Sequence, residues 1–400
     1  MTTWVVPPEL EDAVLAAARA VVGDAALAPA ALHKAIVDRS ERYTSHRDQL
    51  AKPANAVADL AARAAFFTIA DAIKIAIPLA ELRRANVLAN AGADVAELVA
   101  NAGALVASTS DANAGDAVAS DGVAASDSNA AVARPRLRVV DLGAGCGAIG
   151  LGLASQGVTL DYTAFDRDDK ALAIAKRALA IYAPASTVAT RACDVTREAI
   201  PACDVVTMST LLNELPIDAR LPLVERALAA APTVIVIEPA LRDTTRALHE
   251  LRDQLLIARG AHVLAPCTRA IAPCPALANP DDWCHEDRLV RLPPHTAELA
   301  RVTHLRDGNL KFSYLVLRRE PIAARPNEWR LVDYPVAPKG RVEVLGCNDA
   351  GRTLIRLMRR NRDESNKAFE RARRGDIVVT DDKPDDKRLE LVGPLSIESV

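Results

Sequence analysis

The stretch VVDLGAGCGAIGLGLA, from Val139 to Ala154, restricts what this chain can fold into more than any other part of it. A β-branched run ends in an acid, Asp141, then Gly143, Gly145 and Gly147 follow at alternate positions, and an apolar helical pattern comes next. Glycines spaced in this way let the backbone turn sharply and approach a ligand, while the helix that follows points free N–H groups toward it. Downstream, short β-branched runs keep alternating with helical ones. RVVDLG, LDYTAFD, DVVTMST and TVIVIEP read as strands; AIGLGLASQG, DDKALAIAKRALAIY, RLPLVERALAAA and TRALHELRDQLLIARG read as helices. This alternation predicts an α/β fold with a parallel, doubly wound, Rossmann-like sheet. KFSYLVLRR, from Lys311, reads as a late strand closing the sheet edge.

Two more carboxylates follow the loop. AFDRD ends the second strand at Asp166, where a carboxylate can accept hydrogen bonds from both hydroxyls of a ribose. ACDV puts Asp194 just beyond a third strand, where an adenine edge would lie. A dinucleotide-binding domain is the competing reading, but it calls for GxGxxG, whereas here Cys146 and Gly147 follow the second glycine. From about Arg136 to Arg319 the arrangement resembles the class I S-adenosylmethionine-dependent methyltransferases, whose first motif has the form [VIL]-x-[DE]-x-G-x-G-x-G. The resemblance implies that Asp141, Gly143, Gly145, Gly147, Asp166 and Asp194 surround S-adenosylmethionine. MSTLLNELP, at the exit of the fourth strand, offers Asn213 and Glu214 as the polar candidates for catalysis. It lacks the Asn-Pro-Pro-aromatic pattern that holds a target amino group. Pro266-Cys267 and Pro273-Cys274 are similar to the nucleophilic Pro-Cys of RNA cytosine-5 methyltransferases. In those enzymes the pair comes after the fourth strand, and here both come after the fifth.

The rest of the chain divides by composition. Residues 1–85 carry Ala, Leu, Ile and Phe at helical spacing, and 86–133 form an insert rich in Ala, Ser, Asn and Asp, with the composition of a disordered segment. Residues 134–320 hold the predicted sheet, with a cysteine loop at 265–288. Residues 321–400 read as a small β-rich module: three short β runs, WRLVDYP, RVEVLGC and DIVVT, around a basic helical stretch. A net charge of -3 gives no overall attraction to a polyanion. From Lys339 to Arg374, however, eleven Lys and Arg stand against five Asp and Glu. Arg356, Arg359, Arg360, Arg371, Arg373 and Arg374 are therefore candidate phosphate contacts, with a solvated charged face as the plainer reading. The expected setting is cytoplasmic, with no membrane partner, because neither a secretion signal nor a run long enough to span a bilayer is seen, and no DNA partner is expected.

Seven cysteines without a secretion signal argue for reduced thiols, metal binding or catalysis over a disulfide framework. APCTRAIAPCPALANPDDWCHEDR, from Ala265 to Arg288, holds Cys267, Cys274, Cys284 and His285. Thiolates suit zinc and iron-sulfur clusters alike, and His285 adds a zinc alternative, so the residues alone leave both metals open. The same segment, with LNELP and VIVIEPA upstream and KFSYLVL downstream, resembles the methyltransferase-like protein of the mitochondrial ribosomal small subunit and its bacterial relatives. YTSHRDQ and LAARAAFFTIADAIKIAIPLAELRR extend that resemblance into the N-terminal helices. It implies that Cys267, Cys274, Cys284 and Cys347 hold a [4Fe-4S] cluster, with His285 outside the ligand set. It further implies that the small ribosomal subunit and its rRNA are the partner, for an assembly factor or an rRNA methyltransferase. Two alternatives are a methyltransferase acting on a protein or small molecule, and a non-catalytic RNA-binding scaffold with a zinc site.

Overall fold

The computed structural model describes residues 3–45, 55–88, 136–258, 260–268, 270–306, 308–386 and 388–399. The polar insert expected at 86–133 lies outside these residues from position 89 on, as does the part of YTSHRDQ beyond Ser45. Among the described residues no helix is long and apolar enough to cross a membrane.

Val139 and Val140 show why helices cover both faces of the main sheet. Side chains alternate along a strand, so neighbouring residues point to opposite faces. Val139, Val205, Ile235 and Val316 enter one apolar core, and Val140, Val206, Val234 and Leu315 enter the other. The strands are β1 (Trp4–Val5), β2 (Leu137–Leu142), β3 (Leu160–Asp166), β4 (Thr187–Ala192), β5 (Val205–Ser209), β6 (Thr233–Pro239), β7 (His262–Ala265), β8 (Glu286–Arg291) and β9 (Asn309–Arg318). Their order is β1-β8-β9-β6-β5-β2-β3-β4, with β7 also paired to β9. The pairs from β4 through β6 are parallel, and β9 runs antiparallel to β6. The α/β, Rossmann-like sheet is therefore as expected, but β9 is not its edge. It lies between β6 on one side and β7 and β8 on the other, in keeping with near-continuous burial from Phe312 to Leu317.

The N-terminal helices α1 (Pro8–Val22), α2 (Pro29–Ser45), α3 (Ala56–Ala62), α4 (Ile69–Ala72) and α5 (Ala76–Arg84) pack on the first of these cores. Leu10, Val14 and Ala17 of α1, spaced for one helical face, meet α7 (Asp169–Tyr182) there, beside α6 (Ala148–Ser155). A π-helical turn, Arg63–Thr68, joins α3 to α4. On the opposite face α8 (Ile217–Ala230) and α9 (Arg242–Ala258) cover the second core. The chain then adds α10 (Pro294–Thr303) before β9.

A second sheet follows, ordered β14-β12-β11-β10-β13-β15. Its strands are β10 (Glu328–Leu331), β11 (Arg341–Asn348), β12 (Gly351–Met358), β13 (Ile377–Thr380), β14 (Arg388–Leu391) and β15 (Leu395–Glu398), around a core that includes Trp329, Ile355 and Phe369. Here the expectation of a basic helical stretch is corrected. RTLIRLM is strand β12, paired along its length with β11, because Ile355 and Leu357 alternate into the core. Leu and Arg favour helices locally, and the tertiary partner overrides that preference.

Candidate functional site

Gly143 and Gly145 carry β2 into α6 with φ of 72° and 53°, a region that side chains resist. A Cβ on Gly143 would stand 2.8 Å from Leu211 Cδ1. Gly147 caps α6. Asp166, at the end of β3, accepts hydrogen bonds from the Gly145 N–H at 2.8 Å and the Asp168 N–H at 2.9 Å, one on each oxygen. Its carboxylate thus fixes the loop and keeps further lone pairs for a ligand. Asp141 borders the same cleft as the loop and also braces the sheet. It is buried and accepts from the Tyr162 and Thr207 hydroxyls, tying β2 to β3 and β5, and burial pushes its carboxyl up to about 7. Asp194 stands exposed beyond β4, accepting from the Thr196 N–H and hydroxyl.

Asp141, Gly143, Gly145, Asp166 and Asp194, though not Gly147, open onto this cleft of about 1090 Å³, which Glu214 also lines on the sheet side. Arg39, Tyr43, Arg63 and Phe67 of the N-terminal helices form its other wall. Glu214 accepts a hydrogen bond from the Tyr43 hydroxyl at 2.5 Å and faces Arg167 at 3.4 Å. Asn213 is 8% exposed, with no protein hydrogen bond to either amide atom. Sequence reading missed Glu238, at the end of β6. It accepts the Leu212 N–H at 2.8 Å, has no partner on Oε2, and is pushed up to about 8 by burial. Cys267 and Cys274 line a separate cavity, so the nucleophilic reading of the two Pro-Cys pairs gains no support from their position.

Glu238 leads to a pH prediction. Unfolded carboxylates are ionised above about pH 5. The folded chain holds protons on Asp141 and Glu238 to about 7 and about 8, so their contribution to stability is lost as pH rises through that window. Glu238→Gln keeps an acceptor for Leu212 and removes the titration. Urea unfolding at pH 6 and pH 8 should show a loss of stability in the wild type that is smaller in the variant by about 1–2 kcal/mol. Equal losses in both proteins would exclude a proton on Glu238.

The second cavity draws its lining from both sheets. Cys267, Cys274 and Cys284 come from the loops between β7 and β8, and Cys347 comes from β11. All four cysteines implied by the resemblance therefore face one space. Burial and the nearby sulfurs of Cys267, Cys274 and Cys347 push the Cys284 thiol well up. The loop is clamped between the sheets: the Thr268 hydroxyl donates to Cys347 O at 3.0 Å, and Arg325 donates to Leu264 O at 2.7 Å. Arg252, Arg330 and Arg352 line the cavity, placing three guanidiniums next to four potential thiolates. His285 is not part of the lining; its ring stacks on Trp283 at 5.6 Å and its Nδ1 lies 3.3 Å from Arg374. The histidine that does line it is His249, from α9, which no local pattern marks. Among the described residues, no three His, Cys, Asp or Glu are grouped for a single metal ion.

The basic residues divide. Arg374 is buried and donates to His285 O at 2.9 Å, and Arg356 is ion-paired to Glu343 at 2.5 Å, so both are engaged within the protein. Arg359, Arg360, Arg371 and Arg373 are exposed.

The strand order, the reversed β9 and the glycine loop at the end of β2 define a class I methyltransferase-like protein. More than half of the chain, residues 124–378, matches one family model. The chain belongs to that family, the mitochondrial small ribosomal subunit protein Rsm22. No curated protein matches it. Similar solved structures include magnesium protoporphyrin IX methyltransferase from Synechocystis PCC 6803 with bound SAM, 12% identical over 72% of this chain and 97% of that one, with a TM-score of 0.34. TrmN from Thermus thermophilus is 22% identical over 48% and 46%, with a TM-score of 0.29. A SAM-dependent methyltransferase from Agrobacterium tumefaciens is 15% identical over 48% and 58%, with a TM-score of 0.30.

Proposed function

We propose that this chain binds S-adenosylmethionine in the cleft at Gly143–Gly145, carries a [4Fe-4S] cluster on Cys267, Cys274, Cys284 and Cys347, and acts on the small ribosomal subunit. The observation that carries the cofactor reading is the left-handed glycine loop, locked by Asp166 and opening onto a cleft that can hold a nucleoside. Family membership supports the ribosomal partner. Of the six arginines read from sequence, Arg359, Arg360, Arg371 and Arg373 are exposed and available for rRNA phosphates.

The cysteine set fits a cluster chemically. Three cysteines from the stretch between β7 and β8 and a fourth from β11 surround a space lined with guanidiniums, which would offset the negative charge of a thiolate-ligated cluster. A single zinc would need its ligands gathered around one ion at about 2.3 Å, and among the described residues no three are so grouped. When bound, the cluster would join the loop after β7 to β11 and so hold the two sheets together.

Asp166→Ala should weaken S-adenosylhomocysteine binding by about 2–4 kcal/mol through loss of two charge-assisted hydrogen bonds, as read by calorimetry. The functional test adds labelled S-adenosylmethionine to small-subunit particles from a deletion strain and from the wild type. Co-sedimentation with both, and label confined to deletion-strain particles, is expected of a methyltransferase acting on the subunit. Co-sedimentation without label would leave an assembly factor, and absence of both would exclude the ribosomal reading.

A further inference from the structure

The cleft wall opposite the glycine loop comes from the π-helical turn Arg63–Thr68, and Arg63, Phe67 and Thr68 of that turn all line the cleft. π-turns are rare and are frequent at functional sites. Arg63 Nη2 lies 3.4 Å from the point where a Cβ on Gly145 would stand, so the guanidinium hangs over the space that the missing side chain leaves. Nη1 donates to Asp168 Oδ2 at 2.6 Å, and Asp168 is itself held by the Lys170 and Ala171 N–H groups as the N-cap of α7. The fork is thus aimed before any ligand arrives, with one arm on Asp168 and the other toward the loop.

We propose that Arg63 binds the carboxylate of the amino-acid tail of a cofactor whose ribose lies at Asp166, so that the N-terminal helices complete the cofactor site. This rests on the S-adenosylmethionine reading above. The tail of a nucleoside held at Asp166 would pass the glycine loop, and a carboxylate ending there would be favoured by a cation. The other arginines lining the cleft also carry ion pairs, and none of them comes within 4 Å of the Gly145 Cβ position. Arg39 pairs with Asp59 at 2.9 Å and Arg306 with Asp71 at 2.9 Å, while Arg167 is largely exposed and faces Glu214. Arg63 is the arginine placed against the loop. A guanidinium can serve Asp168 and a second carboxylate together, because its five donors form a planar fork.

The test compares two ligands that share a nucleoside and thioether and differ in the tail. S-adenosylhomocysteine has the amino-acid group and methylthioadenosine lacks it. Calorimetry on the full chain should show that Arg63→Gln loses about 10- to 100-fold in affinity for S-adenosylhomocysteine, the value of a charge-assisted pair, and keeps its affinity for methylthioadenosine. Arg63→Lys should recover part of the loss. Unchanged S-adenosylhomocysteine binding in Arg63→Gln would overturn the assignment. Equal losses for both ligands would also overturn it, since they would show a role only in holding Asp168 and α7. Failure of the wild type to bind either ligand would instead bring down the cofactor reading, and this inference with it.

Discussion

Each of Cys267→Ser, Cys274→Ser, Cys284→Ser and Cys347→Ser should strip the protein of iron, whereas Cys193→Ser and Cys203→Ser should leave it in place. Protein purified without oxygen should be brown and hold about four irons per chain, the content of one [4Fe-4S] cluster. The first four cysteines line the cavity between the sheets, while Cys193 borders the cleft at the glycine loop and Cys203 is buried near the start of β5. Ligand binding that bridges two parts of a fold contributes directly to folding free energy, so the effect should be large. Proteolysis should therefore release the second sheet sooner in the four serine variants. A colourless protein with one zinc per chain, lost on His249→Ala, would replace the cluster with a zinc site.

Glu81→Ala should destabilise the fold by about 3–5 kcal/mol, because it leaves a buried guanidinium without its counter-ion. Glu81 and Arg330 are 1% and 3% exposed and form an ion pair. Glu81 also accepts from the Tyr314 hydroxyl at 3.1 Å, and Arg330 donates to Pro266 O at 2.9 Å and Gly375 O at 2.6 Å. One contact thus joins α5, the cysteine loop and the second sheet. The double variant Glu81→Ala, Arg330→Ala should cost less than the sum of the two single changes, as groups in direct contact require. Additive losses in urea unfolding would show that the pair is not coupled.

The signals that could be read along the chain were local. VVDLGAG and AFDRD place a turn and a carboxylate through φ preference and strand endings, which depend on a few neighbouring residues. The glycine loop, Asp166 and the parallel sheet were therefore legible. The pairing of β9 was not, because an apolar run reads alike at an edge and in the middle of a sheet. Nor was β12, whose Leu and Arg favour helix until β11 supplies the hydrogen-bonding partner.

What the sequence determined by itself is the alternation of strands and helices from β2 to β6, the glycine loop, and the residue types able to bind a metal. The tertiary structure alone decided which of those residues meet. Cys347 lines one cavity with Cys267 at the junction of two sheets, Arg63 reaches Gly145 from a different region of the chain, and Glu81 finds Arg330. Such contacts join segments far apart in sequence and leave no periodic trace in either one. It also decided that Arg356 and Arg374 are held by Glu343 and His285, while Arg359 and Arg360 face solvent. Local preference sets the elements through each residue's own backbone and near neighbours; packing sets their partners through the burial of surfaces that no short stretch contains.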